Sequence, residues 1–182
     1  MTACSSKFVV IANCFFLLGI KYVEAKKEQK HPPPIVFPQA NDGRGFGPQY
    51  QWLDLEKAIE VSRLTQKPIM VIIHKSWCTA CSALKPQFAE SKEIEELSSN
   101  FVMVNVGDDD KVVGSSFAPD GEYIPRIIFM SPDGEVRPEF YNEGGSEAYK
   151  YFYSDVSNII TTMKKVQRAY KKKLKSKDTQ EL

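Results

Sequence analysis

Cysteine and histidine are scarce in this chain. Of 182 residues, four are cysteine and two are histidine. Cys4 and Cys14 fall in an N-terminal segment that reads as a removable leader, which leaves only Cys78 and Cys81. A single pair at the tightest useful spacing is no disulfide framework. A closed zinc site wants four ligands, yet there is no second cysteine pair, and His31 is the only histidine besides His74. An excess of one charge is also lacking. With 24 Lys and Arg against 23 Asp and Glu the net charge is +1, so no overall field points to nucleic acid or to a membrane surface. Internal repeats are absent, and no Asn-x-Ser/Thr acceptor exists for an N-glycan.

What is present suits one domain with appendages. A hydrophobic fraction of 42% and an aromatic fraction of 12% are enough for a core. Lys7 precedes the apolar run Phe8–Ile20, and Val23 and Ala25 stand at cleavage-like spacing before Lys26 and Lys27. Residues 1–25 therefore read as a secretory signal peptide cut near Ala25. The run is short for a bilayer span, which takes ~20 residues; an uncleaved anchor is the alternative. Loss of Lys7, Lys21 and Glu24 leaves 22 basic and 22 acidic residues. Residues 26–48, basic and then proline-rich at Pro32–Pro34, read as a flexible leader. Its glycines, Gly43, Gly45 and Gly47, lack the strand and helix of a phosphate cradle.

From Tyr50 the pattern is that of an α/β domain, residues 49–170. A short edge strand is expected near Tyr50–Leu53, then a helix capped by Asp54 and ending before Pro68. Ile69–Ile73 is a continuous apolar run, as a strand buried on both faces requires. A helix begins near Cys78, with Cys81, Leu84 and Phe88 on one face and Pro86 expected to kink or break it. Ser91 restarts a helix, and Phe101–Val106 is a second buried strand, giving a right-handed βαβ unit. Arg126–Met130 is a third strand, the turn Ser131–Gly134 follows, and Glu135–Tyr141 is expected as its antiparallel partner. A helix over about Ser154–Leu174 places Val156, Ile159, Ile160, Met163 and Val166 on one face. Lys164, Lys165, Arg168, Lys171–Lys173, Lys175 and Lys177 read as a solvated basic end, with residues 171–182 as a tail. Asp108–Asp110 reads as a solvated loop, without the spacing of a calcium loop.

The chemical signal is Trp77-Cys78-Thr79-Ala80-Cys81, at a strand-to-helix junction. Unpaired N–H groups and the macrodipole at a helix start favour a thiolate, the attacking form of cysteine. A ring this small adds little chain entropy to stability. Half a zinc site, a structural disulfide and a redox pair are the competing readings, and the strand before, helix after and Trp77 in front favour redox exchange. Ile124–Pro125 is the second signal, just before a strand.

Trp77-Cys78-x-x-Cys81, Pro86 five residues on, and Ile124-Pro125 before a strand together resemble the thioredoxin superfamily. The surrounding words narrow the likeness: Pro68-Ile-Met-Val-Ile-Ile-His-Lys-Ser-Trp-Cys, Phe88-Ala-Glu-Ser, Asn100-Phe-Val-Met-Val-Asn and Ser116-Phe-Ala-Pro-Asp-Gly-Glu-Tyr-Ile-Pro-Arg. They resemble the small endoplasmic reticulum members related to the anterior gradient proteins. The resemblance covers about Tyr50–Tyr170. It implies a thioredoxin fold, a central mixed β-sheet flanked by helices, and a thiol–disulfide oxidoreductase of the endoplasmic reticulum lumen. It implies Cys78 as nucleophile and the more exposed sulfur, Cys81 as resolving thiol, a cis Ile124–Pro125 bond, and client contacts by Trp77, Ile124 and Pro125. Partners would be cysteine-containing client proteins, with glutathione or an upstream oxidase for recycling; no cofactor, metal, nucleic acid or membrane span after signal cleavage is expected. His74 and Lys75 are candidate positive neighbours of the thiolate, and strand direction makes either just as apt to face elsewhere.

Two departures stand out. Where many family members bury an acid six residues before the first cysteine, this chain has Ile72. The Thr79–Ala80 dipeptide lacks both the histidine of disulfide isomerases and the proline of thioredoxin, so a moderate reduction potential is expected. The C-terminal Lys177-Asp178-Thr179-Gln180-Glu181-Leu182 resembles a retrieval signal only at its Glu-Leu end. The alternative to an enzyme is a client-binding protein with little redox turnover.

Overall fold

The computed structural model describes residues 38–110 and 114–180, with side chains described through residue 172. The signal-peptide reading, most of the leader and the terminal Glu-Leu lie outside the described residues. In chain order the elements are β1 (Trp52–Leu53), α1 (Leu55–Thr65), β2 (Ile69–Ile73), α2 (Thr79–Glu90), α3 (Lys92–Ser98) and β3 (Val102–Val106). A single 3-10 turn (Ser115–Phe117), β4 (Arg126–Met130) and α4 (Val156–Gln180) follow.

The strands form one mixed sheet in the order β1-β3-β2-β4. β3 runs parallel to both β1 and β2, and β4 runs antiparallel to β2. Alternation within the strands divides the apolar side chains between two faces. Met70, Ile72, Met103, Ile127 and Phe129 join one cluster with Leu84 and Phe88 of α2, Ile94 of α3, and Ile159, Met163 and Val166 of α4. Ile69, Val71, Ile73, Val102, Val104 and Ile128 join the other, with Ala58 and Val61 of α1. This is a thioredoxin fold, a central mixed sheet flanked by helices.

Local chemistry explains the element ends. The Asp54 carboxylate accepts from the Lys57 N–H at 2.8 Å and starts α1. Ser91 closes α2 through its own N–H and opens α3 through its hydroxyl, which accepts from the Ile94 N–H. Asp155 caps α4 by accepting from the Asn158 N–H at 3.1 Å.

Four expectations are corrected. α2 runs through Pro86 without a break: the missing N–H removes one ladder bond, and the fully buried Cys81 and Phe88 on either side anchor the helix to the core. Glu135–Tyr141 is not a strand. Only Val136 bridges to Met130, with the Arg137 N–H donating to Phe129, and Pro138 can donate nothing further. Part of the flexible leader is packed: Phe46 is fully buried, and the Trp52 indole N–H donates to the Gly47 carbonyl at 2.7 Å. Finally, α4 continues to Gln180, through the stretch expected as a tail. Among the described residues no helix is long and apolar enough to cross a membrane.

Candidate active site

The turn between β2 and α2 carries the cysteines. Cys78 is the N-cap of α2, with extended backbone (φ −82°, ψ 112°). Its Sγ accepts from the Cys81 backbone N–H at 3.1 Å, and its carbonyl accepts from the Ser82 N–H at 3.0 Å. A sulfur thus occupies the capping position that serine or aspartate usually fills. The two cysteines are joined in a disulfide. Cys81 is completely buried and Cys78 is 6% exposed, whereas Trp77 beside it is 74% exposed.

The turn is latched to the loop after β3. The Asp108 carboxylate accepts from the Ser76 N–H at 3.1 and 3.2 Å, and that bond holds the carboxyl below its ordinary range. The Lys75 ammonium donates to the carbonyls of Gly107 and Asp108 at 3.0 and 3.1 Å. Asp110 accepts from the Gly107 N–H at 2.8 Å and pairs with Arg44. Asp108 and Asp110 are exposed, as a solvated loop requires, and they also hold the turn and the loop together.

Of the two alternatives for His74, the structure shows the one in which it supplies no positive charge to the sulfur. The residue is buried, and its ring packs 5.0 Å from the Phe46 ring, centroid to centroid. Burial, reinforced by Lys85 and Arg44, pushes its pKa down, outweighing the Asn105 hydrogen bond, so it is a neutral imidazole near pH 7. The Asn105 amide nitrogen donates to the Gly43 carbonyl at 2.7 Å. Its Oδ1 therefore faces His74, and Nε2 donates to it at 2.6 Å. This leaves Nδ1 as a bare acceptor, with no hydrogen-bond partner among the described residues. Lys75 is likewise committed to carbonyls. Ile72 is fully enclosed in the apolar core.

Register brings the second signal to the same end of the sheet. Ile73, the last residue of β2, pairs with Arg126, the first of β4. The β2–α2 turn with Trp77 and Cys78 and the cis Ile124–Pro125 bond thus leave adjacent strand ends. Pro125 is buried and Ile124 half-buried. Arg126 braces the approach, donating to the carbonyls of Phe117 at 3.1 Å and Tyr123 at 2.5 Å. The Tyr123 hydroxyl donates to Asp120 at 2.7 Å and accepts from the Tyr151 N–H at 2.9 Å.

The supporting residues Asn105, Asp108 and Gly43 escaped the sequence reading. Asn105 had a signal, a polar residue inside an apolar strand, whereas the other two depend on contacts between distant segments. No group of three or more His, Cys, Asp or Glu placed to hold a metal ion occurs among the described residues.

A family model described as thioredoxin-like matches residues 51–132, the span from β1 through β4. Anterior gradient protein 3 of Mus musculus is 32% identical over 168 residues, covering 90% of this chain and 97% of the relative. Anterior gradient protein 2 homolog of Homo sapiens is 35% identical over 151 residues, 82% of this chain and 84% of the relative. A disulphide isomerase from Xylella fastidiosa Temecula1 superposes with a TM-score of 0.44 at 24% identity, covering 62% of this chain and 87% of that one. The protein is thus of the thioredoxin-like class. Within that class, the chain belongs to the anterior gradient family.

Proposed function

We propose that the chain is a thiol–disulfide oxidoreductase that exchanges disulfides with client proteins through Cys78 and Cys81, and that it works in the endoplasmic reticulum lumen. The observation that carries the redox reading is the placement of the pair: Cys78, 6% exposed and next to the exposed Trp77, caps α2, and Cys81 is enclosed behind it in the core. The apolar run Phe8–Ile20 after Lys7, read as a secretory signal, supports the compartment.

In the oxidising direction a client thiolate attacks Cys78 Sγ. The Cys78–Cys81 bond breaks, its electron pair goes to the Cys81 sulfur, and that sulfur takes a proton. The client's second thiolate then attacks the client sulfur of the mixed disulfide and expels Cys78. The client dithiol is oxidised by two electrons and the cysteine pair is reduced by two. A second disulfide, such as glutathione disulfide or that of an upstream oxidase, takes those electrons back. In the reducing direction Cys78 attacks a client disulfide and Cys81 resolves the intermediate. Trp77, Ile124 and Pro125 border the place where the client must lie.

The test is a pair of variants in cells of the native compartment. Cys81→Ser is expected to accumulate disulfide-linked clients and Cys78→Ser to accumulate none. If both variants retain full activity, the alternative of a client-binding protein with little turnover replaces this reading.

A further inference from the structure

Three large hydrophobic side chains stand exposed among the described residues: Leu64, Trp77 and Tyr149. Leu64 lies on α1. Trp77 precedes the nucleophile, and Tyr149 belongs to the segment between β4 and α4, for which neither the resemblance nor the motif implies a role. That segment returns to the active-site end. The Ile127 N–H donates to the Tyr151 carbonyl at 3.0 Å, covering the outer edge of β4 one residue into the strand. The Lys150 N–H donates to Asp120 at 2.7 Å, and the Tyr151 N–H donates to the Tyr123 hydroxyl at 2.9 Å. These bonds set the Tyr149 ring edge-on to Tyr123, centroids 5.0 Å apart at 79°. Tyr123 is the residue before Ile124, whose peptide bond to Pro125 is cis.

Tyr149 is 53% exposed, yet its backbone is pinned on both sides: its own N–H donates to Ser146 and its carbonyl accepts from the Phe152 N–H, both at 3.1 Å. Asn142 reinforces the segment, donating from its backbone to Lys150 and from its side chain to Phe152, both at 2.8 Å. An exposed aromatic held in place by its surroundings loses little conformational freedom on meeting a ligand, the usual property of recognition aromatics.

We propose that the Tyr123–Tyr149 pair is a client-selecting platform, which receives an apolar or aromatic side chain flanking the client cysteine that reacts at Cys78. The inference rests on the exchange reading, which fixes the occupant: a polypeptide segment whose cysteine reaches Cys78 and whose backbone passes Ile124. Trp77 meets the segment on the cysteine side, and Tyr149 meets it beyond Ile124. Selectivity then belongs to residues near the client cysteine and not to the cysteine itself.

The experiment uses two synthetic peptides, each with one cysteine carried as a mixed disulfide with glutathione. One peptide has Phe on both sides of the cysteine at two residues' distance, the other has Ser. With reduced glutathione and glutathione reductase supplying the two electrons of each cycle, the full-length chain is expected to prefer the Phe peptide in kcat/KM, through KM. Tyr149→Ser is expected to lower that preference about fivefold, the range of one aromatic contact, and Tyr149→Phe to keep it. In parallel, fluorescent peptides with Ser in place of Cys are titrated against the oxidised chain, and the same variants are expected to shift the ratio of Kd values in the same way. A preference that Tyr149→Ser leaves unchanged in both assays overturns the platform. Turnover of glutathione disulfide by the wild-type chain reports the exchange chemistry separately. If that turnover is absent while the Kd ratio still responds to Tyr149, the redox reading falls and with it the selection of reacting clients, and Tyr149 is left as a peptide-binding residue only.

Discussion

The Sγ atom of Cys78 accepts a hydrogen bond from the backbone N–H of Cys81 at 3.1 Å. A cysteine sulfur thereby serves as the helix cap. When the disulfide is reduced, the same N–H and the α2 dipole face a sulfur that gains from carrying negative charge. Cys81 has no such position and is completely buried. On reduced protein, limiting iodoacetamide at pH 7 is expected to modify Cys78 at least about tenfold faster than Cys81, read by peptide mass spectrometry. Equal labelling of the two would remove the basis for naming Cys78 the nucleophile.

Ile72 presents a second contrast. Its side chain is fully buried on the face of the sheet that packs against α2, α3 and α4. A carboxylate there would be desolvated among Met70, Leu84, Phe88 and Ile127, which offer no hydrogen bond. Ile72→Asp is expected to destabilise the fold by more than about 3 kcal/mol, and Ile72→Val by only about 1 kcal/mol, both measured by urea unfolding. An Ile72→Asp protein as stable as wild type would show that the site can hydrate or reorganise around an acid.

His74 makes stability depend on pH in a defined window. Burial pushes its folded pKa below the ordinary value of 6.5. The unfolded chain therefore binds a proton that the folded chain refuses, once pH falls below about 6.5. The stability contribution is complete above that pH and is lost as pH drops toward the folded value, with a limiting slope of about 1.4 kcal/mol per pH unit. His74→Gln keeps an N–H to donate to Asn105 but cannot titrate. Urea midpoints between pH 7.5 and 5 are expected to fall for the wild type and to change less for the variant. Parallel curves would mean that His74 is hydrated or protonated in the folded state.

The local elements were legible because their signals are local. Ile69–Ile73 and Arg126–Met130 are apolar runs bounded by polar residues, and both are strands with those bounds. Asp54 and Ser91 are caps, and each accepts the bond its position predicts. The cis Ile124–Pro125 bond followed from the family likeness and is present. Most of what was missed depends on segments meeting from far apart. The Asn41–Pro48 stretch has the composition of a loose loop, and only its docking on Asn105 and Trp52 makes it part of the core. Glu135–Tyr141 has the alternation of a strand, but Pro138 and the turn after it stop the ladder at one bridge. His74 looked like a charge beside the sulfur because its sequence position says nothing of Phe46 and Asn105, which enclose it.

Gly43 is where the N-terminal loop and the active-site support meet. Its carbonyl takes the Asn105 amide that orients the His74 ring. Its own φ is +90°, in the region that side chains avoid, and a Cβ there would lie 2.3 Å from the Gly47 carbonyl oxygen and 2.7 Å from the Trp52 indole nitrogen. Those two atoms are themselves hydrogen-bonded at 2.7 Å, so neither can move without breaking the bond. Gly121 provides the control. Its φ is +137°, but its nearest neighbour to a Cβ is 3.5 Å away, the edge of Tyr123. Gly121→Ala adds strain alone and is expected to cost about 1 kcal/mol. Gly43→Ala adds strain and displaces the loop, and is expected to cost more than about 2 kcal/mol. The two effects separate by readout: urea unfolding gives both losses, while the His74 imidazole NMR signals are expected to shift in Gly43→Ala and to hold in Gly121→Ala. A Gly43→Ala protein with unchanged imidazole signals would uncouple the loop from His74.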